Sequence, residues 1–173
     1  MEKINTKKLV FASLFMALAL LLPLITGQIQ SVGSMLLPMH IPILLCGFIC
    51  GPKYGLAVGS MSPILRSVIF TMPPMYPVAV AMAFELAAYG FFSGFFNKSL
   101  PKKNYAIYVN LVLSMLIGRV VWGLAMLIML GVDSTPFTWG MFATGAFMQA
   151  LPGIAIQIVL IPPIVMIHRK TQK

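Results

Sequence analysis

Residues 105–130 read YAIYVNLVLSMLIGRVVWGLAMLIML. A helix needs roughly 20 apolar residues to cross a bilayer, and this run exceeds that. Its one charge, Arg119, lies far from either end. A charged side chain inside a bilayer segment is costly unless it is paired or faces a wet cavity. The run therefore reads as a transmembrane helix that carries one arginine for a purpose.

Five more segments extend outward from it. Segment 1 runs from about Lys8 to Thr26, segment 2 from Leu37 to Cys50 and segment 3 from Tyr54 to Phe70. Segment 4 runs from Val78 to Phe96, Tyr105–Leu130 is segment 5, and segment 6 runs from Phe137 to Ile167. The breaks between them are polar or rich in Pro and Gly, as in Gly51-Pro52-Lys53 and Met72-Pro73-Pro74-Met75-Tyr76-Pro77. Segments 2 and 3 are short, so they read as a tilted or a partly re-entrant pair. Across all 173 residues, 60% are hydrophobic and only 9% charged, against about a quarter charged in soluble domains. A chain this size cannot bury so much apolar surface in a soluble core. One bundle over residues 1–173 leaves no room for a second domain.

Charge sets the direction. Lys3, Lys7, Lys8, Lys53, Lys98, Lys102, Lys103, Arg169, Lys170 and Lys173 all fall on one side of a six-span arrangement. The opposite loops carry only Asp133. By the positive-inside rule this gives an all-α membrane protein of six transmembrane helices with both termini cytoplasmic. A net charge of +9, scattered in short groups beside membrane segments, marks anchoring to the lipid bilayer and not nucleic-acid binding. The first run lacks a small-residue cleavage pattern and is followed by further spans, so it is not read as a signal peptide. Cys46 and Cys50 have only His40 nearby and read as buried, inert thiols. No metal and no other cofactor enters the reading.

Small residues recur at four-residue intervals: Gly47, Gly51, Gly55 and Gly59, then Gly90 and Gly94, and Ser13 with Ala17. Such spacing lets helix backbones approach closely. Ordinary packing inside the bundle and a partner interface both answer to it.

The polar residues inside the runs carry the functional reading. At 1.5 Å per residue, Arg66 lies about 6 Å from the outer end of its segment, Glu85 about 10 Å and Arg119 about 16 Å. Gln149 has a comparable depth in segment 6, and His40 starts segment 2. The inner half holds Asn110 and Gln157 and no charge. Arg66 is shallow enough to snorkel to the head groups, and Arg119 is too deep for that. Two arginines and one glutamate leave one positive charge over. A guanidinium keeps its proton and its fork suits a carboxylate or phosphate, so the expected ligand is a small anion or zwitterion. Trp122, one turn from Arg119, is placed to cover an apolar part, and Tyr76 with the Met-rich Pro loop to close the outer mouth. No nucleophile–base–orienter set is visible, nor a nucleotide-binding loop, nor a chain of acids for proton coupling. A transporter built this way needs a partner to supply energy. An intramembrane enzyme and a channel or structural subunit are the readings from other classes.

Several stretches are similar to the substrate-binding S components of energy-coupling factor (ECF) vitamin transporters. They are Leu37-Pro38-Met39-His40-Ile41-Pro42 through Gly55, Pro63-Ile64-Leu65-Arg66-Ser67, the Pro loop 72–77, Ala81-Met82-Ala83-Phe84-Glu85-Leu86, and Gly118-Arg119-Val120-Val121-Trp122-Gly123. The resemblance covers nearly the whole chain and leans toward a subgroup linked to pantothenate. It implies a vitamin pocket near the outer face, a transmembrane T component and two cytoplasmic ATPases as partners, no enzymatic activity, and a bacterial plasma membrane. It also implies an Ala-x-x-x-Ala face on helix 1 for the T component. Ser13 and Ala17 match that face with serine in the first place, and Ala12 and Ala19 are further candidates. Nicotinate, lipoate, folate and pyridoxine-type vitamins stay open beside pantothenate. Arg119 is expected to take the ligand's anion, with Arg66 or His40 as second donor and Glu85 orienting the cluster.

Overall fold

The computed structural model describes residues 5–25, 36–132 and 150–171. Six helices make up the described residues, and no strand is among them: α1 (Thr6–Ile25), α2 (His40–Cys50), α3 (Pro52–Phe70), α4 (Val80–Ser99), α5 (Asn104–Val132) and α6 (Leu151–Thr171). A short wide turn, Met75–Ala79, leads into α4. Each expected segment has its helix, with ends shifted by a few residues. For segment 6, the stretch 137–149 lies outside the described residues.

Four helices are long and apolar enough to cross a membrane: Thr6–Leu24, Met75–Ser99, Asn104–Leu130 and Leu151–Thr171. The other two differ for separate reasons. α2 has 11 residues, about 16 Å of rise, which is half a hydrocarbon core. α3 has 19 residues, but Lys53, Gly55, Gly59, Ser60, Ser62, Arg66 and Ser67 dilute its apolarity. Gly51 joins the two at φ 101°, a left-handed backbone that a side chain would strain. Pro52 then opens α3 at a position where its missing N–H costs nothing.

α4 is the centre of the bundle and packs on α2, α3 and α5. Glycine makes this closeness possible. A Cβ on Gly55 would overlap the Gly90 carbonyl, and one on Gly90 would overlap Gly55. Gly59 meets the Leu86 carbonyl and Gly47 meets Ser93 and Gly90 in the same way. The four-residue glycine pattern is therefore packing within this chain, where small residues let backbones touch. The large apolar side chains Val10, Leu14, Val68, Val120, Ile128, Val159 and Ile167 point outward, the arrangement expected where lipid is the solvent.

Side chains tie the C-terminal ends of α2, α4 and α6 together. Asn97 Nδ2 donates to the Phe48 carbonyl at 2.8 Å, and Arg169 Nη2 donates to Asn97 Oδ1. This one residue near the end of α4 thus joins α2 and α6.

Candidate functional site

α4 presents Glu85, Tyr89, Ser93 and Asn97 at four-residue intervals, which places them on one face of the helix. Glu85, Tyr89 and Ser93 are buried. Lower down, the polar groups are satisfied. Asn110 Nδ2 donates to the Ser93 carbonyl at 2.9 Å, and Ser114 Oγ donates to Asn110 Oδ1 at 3.0 Å.

The upper part of the stripe is different. Arg119 Nη1 stands 3.0 Å from Glu85 Oε1, with both side chains buried. Tyr89 donates its hydroxyl to the same oxygen at 3.0 Å. His40 Nε2 lies 3.7 Å from it, beyond hydrogen-bond reach, and the His40 ring leans on the Tyr89 ring at 5.4 Å. Gly118 makes room for this arrangement, since a Cβ there would overlap the Tyr89 ring. The residue beside Arg119 is thus small so that the tyrosine holding Glu85 can stand where it does.

Six buried atoms in the described residues around this level have no hydrogen-bond partner: Arg119 Nε and Nη2, both ring nitrogens of His40, and both amide atoms of Gln157. Buried polar atoms are nearly always bonded in a native fold, and a buried donor or acceptor left unmade costs about 1–3 kcal/mol. The Nε–Nη2 edge of a guanidinium is the one that takes a carboxylate with two parallel bonds. The arrangement offers donors to an acceptor pair.

The expected site residues divide. Glu85, Arg119 and His40 come together, and Arg119 is the arginine that pairs with Glu85. Arg66 does not join them. It is buried, donates Nη1 to the Leu20 carbonyl of α1 at 2.8 Å, and stacks its guanidinium 5.2 Å from the Phe70 ring. Its contacts among the described residues are thus to α1 and to Phe70, not to Glu85 or Arg119. The surplus positive charge consequently sits at the α1–α3 seam, and the Glu85–Arg119 pair is neutral in itself. Tyr76 is half exposed and donates its hydroxyl to the Met129 carbonyl at 2.9 Å, pinning the Pro loop to the outer end of α5. Trp122 is partly buried on α5. Gln149 lies outside the described residues. Among the described residues no three His, Cys, Asp or Glu side chains converge on a metal-sized point.

On α1, Ser13 and Ala17 are exposed, flanked by Val10, Leu14 and Leu21 on the same outward face. The Ser13 hydroxyl donates back to the Leu9 carbonyl at 3.0 Å, so the face presents no free polar group there. Ala12 and Ala19 are corrections. They are 5% and 0% exposed and pack inside the bundle, because 100° per residue turns positions 12, 15 and 19 toward the core while 13 and 17 face out.

A family model described as "ECF transporter, substrate-specific component" matches residues 7–165. The chain belongs to this family. No curated protein matches it, and no solved structure does. A substrate-specific component is a membrane-embedded, substrate-binding transporter subunit, and this accounts for the apolar, multi-helix build. It also gives the partnerless buried donors a context that packing alone lacks. Sequence analysis set Gln157 in the inner half, with no part in the expected site. Segment 6 was expected to end at Ile167, whereas the helix continues to Thr171. Gln157 stands fourteen residues before the C-terminal end of α6, about 21 Å of rise.

Proposed function

We propose that this substrate-specific component binds a small carboxylate vitamin, with pantothenate the best match to its donors, as the membrane subunit of an ATP-driven importer. Its partners in this reading are a transmembrane T component and two cytoplasmic ATPases, in a bacterial plasma membrane. All six helices cross the bilayer and both termini are cytoplasmic. The positive-inside pattern supports this, because Lys53 shares a side with Lys98, Lys102 and Lys103 only if α2 and α3 both cross. The exposed Ser13–Ala17 face of α1 is the contact for the T component.

The observation that carries the reading is the buried Nε–Nη2 edge of Arg119, which has no partner among the described residues. A vitamin carboxylate accepts two bonds from that edge. Glu85 holds the guanidinium in place from its other side, and His40 supplies a further donor. Trp122 covers the ligand's apolar part, Gln149 contributes a polar contact, and Tyr76 with the Pro loop closes the outer mouth. Nicotinate, lipoate and folate share the carboxylate and differ in the rest. The internal neutrality of the Glu85–Arg119 pair favours a second reading, a neutral pyridoxine-type ligand accepted by the same donors.

Co-expression with an intact T component and its ATPases tests the assembly. A tag on this chain is expected to recover all three partner subunits, and the isolated chain to bind vitamin without hydrolysing ATP. Failure to recover the ATPases from an otherwise intact module, or turnover of a substrate by the chain alone, would overturn the proposal.

A further inference from the structure

Glu85, Arg119 and Gln157 lie at one level of the bundle. Glu85 is fourteen residues above Ser99 on α4, Arg119 fifteen above Asn104 on α5, and Gln157 fourteen above Thr171 on α6. Each is thus about 21–22 Å above the inner end of its helix. His40 joins the layer from α2 through its approach to Glu85. α6 packs against both α2 and α5, and Gln157 is on its buried face with Gly153, Ile161 and Val165. Gln157 is fully buried, yet neither its amide oxygen nor its amide nitrogen has a partner among the described residues.

The other buried amide in the bundle behaves otherwise. Asn110 is bonded on both sides, to Ser93 and Ser114. A glutamine needed only for packing could be bonded likewise or replaced by an apolar residue at a gain in stability. What Gln157 lacks is a group that accepts one hydrogen bond and donates one. An amide or urea, with N–H beside C=O, meets the oxygen and the nitrogen of Gln157 side by side, which a single hydroxyl does not.

We propose that Gln157 is a specificity-determining residue that pairs with an amide or urea group of the transported vitamin, while Arg119 holds its carboxylate. Neighbouring helix axes are about 8–10 Å apart, so the two residues read different parts of one small molecule. This rests on the vitamin-binding reading and narrows it. Of the candidate carboxylates, pantothenate, biotin and folates carry the group, whereas nicotinate and lipoate do not, and neither does pyridoxine.

The test is calorimetric titration of the purified chain in detergent with those six vitamins, on wild type and Gln157→Met, alongside thermal unfolding without ligand. The tightest ligand is expected to be an amide- or urea-bearing one. Gln157→Met is expected to bind it at least about tenfold more weakly, the scale of one lost hydrogen bond, with an unfolding temperature equal to or above wild type. An ester analogue of the vitamin, lacking the N–H but keeping the C=O that accepts from the Gln157 amide, is expected to narrow the difference between the two proteins without abolishing it. Should Gln157→Met fail to fold, Gln157→Asn keeps the amide one methylene short and must show the same selective loss. Tightest binding by nicotinate, lipoate or pyridoxine, or undiminished binding by the variant, overturns the proposal while leaving the vitamin reading intact. Binding of none of the six by wild type overturns that reading and the proposal with it.

Discussion

Arg119 Nη1 stands 3.0 Å from Glu85 Oε1, and the side edge of the same guanidinium, Nε and Nη2, is buried with no partner among the described residues. One side of the arginine is therefore paired with Glu85 and the other is unbonded among the described residues. Removing one partner of a buried pair strands the other, at a cost of about 3–5 kcal/mol. Glu85→Ala is expected to lower the unfolding temperature of the detergent-solubilised chain sharply. The double variant Glu85→Leu/Arg119→Met is expected to recover most of that stability, since two well-packed apolar residues replace a buried pair at little cost. It is also expected to bind no carboxylate vitamin. Equal stability of Glu85→Ala and wild type would show that the pair is not a buried unit.

The α3–α4 contact makes a second stability prediction. Gly90 touches the Gly55 backbone so closely that a single added methyl has nowhere to go. Forcing extra atoms into a packed interface costs about 1–3 kcal/mol. Gly90→Ala is expected to destabilise by at least that amount, read as a drop in thermal unfolding midpoint in detergent. Leu116→Ala, on the outward face of α5, is expected to leave the midpoint nearly unchanged. Similar effects from the two substitutions would contradict the packing account.

Much of this was legible in the sequence, and the reasons are physical. Long apolar runs and Pro/Gly breaks pointed to each of the six described helices, since length and hydropathy follow directly from the chain. Glycines at four-residue spacing marked close helix contacts, and the structure sets Gly55 and Gly59 against α4. What the sequence does not give is azimuth. In a soluble helix the apolar stripe marks the core, but α1 is apolar all round, and here its large residues face outward while Ala12 and Ala19 face in. Only polar residues mark the inner face of such a helix. On α4 these are Glu85, Tyr89, Ser93 and Asn97, of which only Glu85 was singled out in the sequence. The Arg66 contact was not legible because depth along a helix says nothing of which neighbour a long side chain reaches, and Leu20 on α1 is 46 positions away in sequence.

The α1 faces can be separated by substitution. Ala17→Trp is expected to leave vitamin binding by the isolated chain intact and to block uptake once the T component and ATPases are present, because it enlarges the outward face. Ala19→Trp is expected to damage folding itself, since Ala19 is fully enclosed. Normal uptake by Ala17→Trp would move the partner contact elsewhere. Loss of binding by the same variant would place residue 17 in the fold.

Topology has a direct readout. With Cys46 and Cys50 replaced by alanine, a single cysteine at Ser31, Tyr76 or Ser134 is expected to react with an impermeant reagent added outside, and one at Lys53 or Lys102 is not. Labelling at Lys53 from outside would show that α2 and α3 form a re-entrant pair, and labelling at Lys102 would break the six-span arrangement.

The measurement that bears most directly on the central claim is vitamin affinity of the folded Arg119→Ala chain. The loss of a buried charge partner, about 3–5 kcal/mol, corresponds to roughly two to four decades in affinity. Calorimetry on purified protein, with folding checked by elution profile and helical content, is expected to show that loss for the carboxylate vitamin that wild type binds. Arg119→Lys is expected to recover only part of it, because an ammonium lacks the two-point fork, and a vitamin whose carboxylate is made an amide is expected to bind wild type poorly. Normal binding by folded Arg119→Ala would contradict the account and assign Arg119 to holding Glu85 alone.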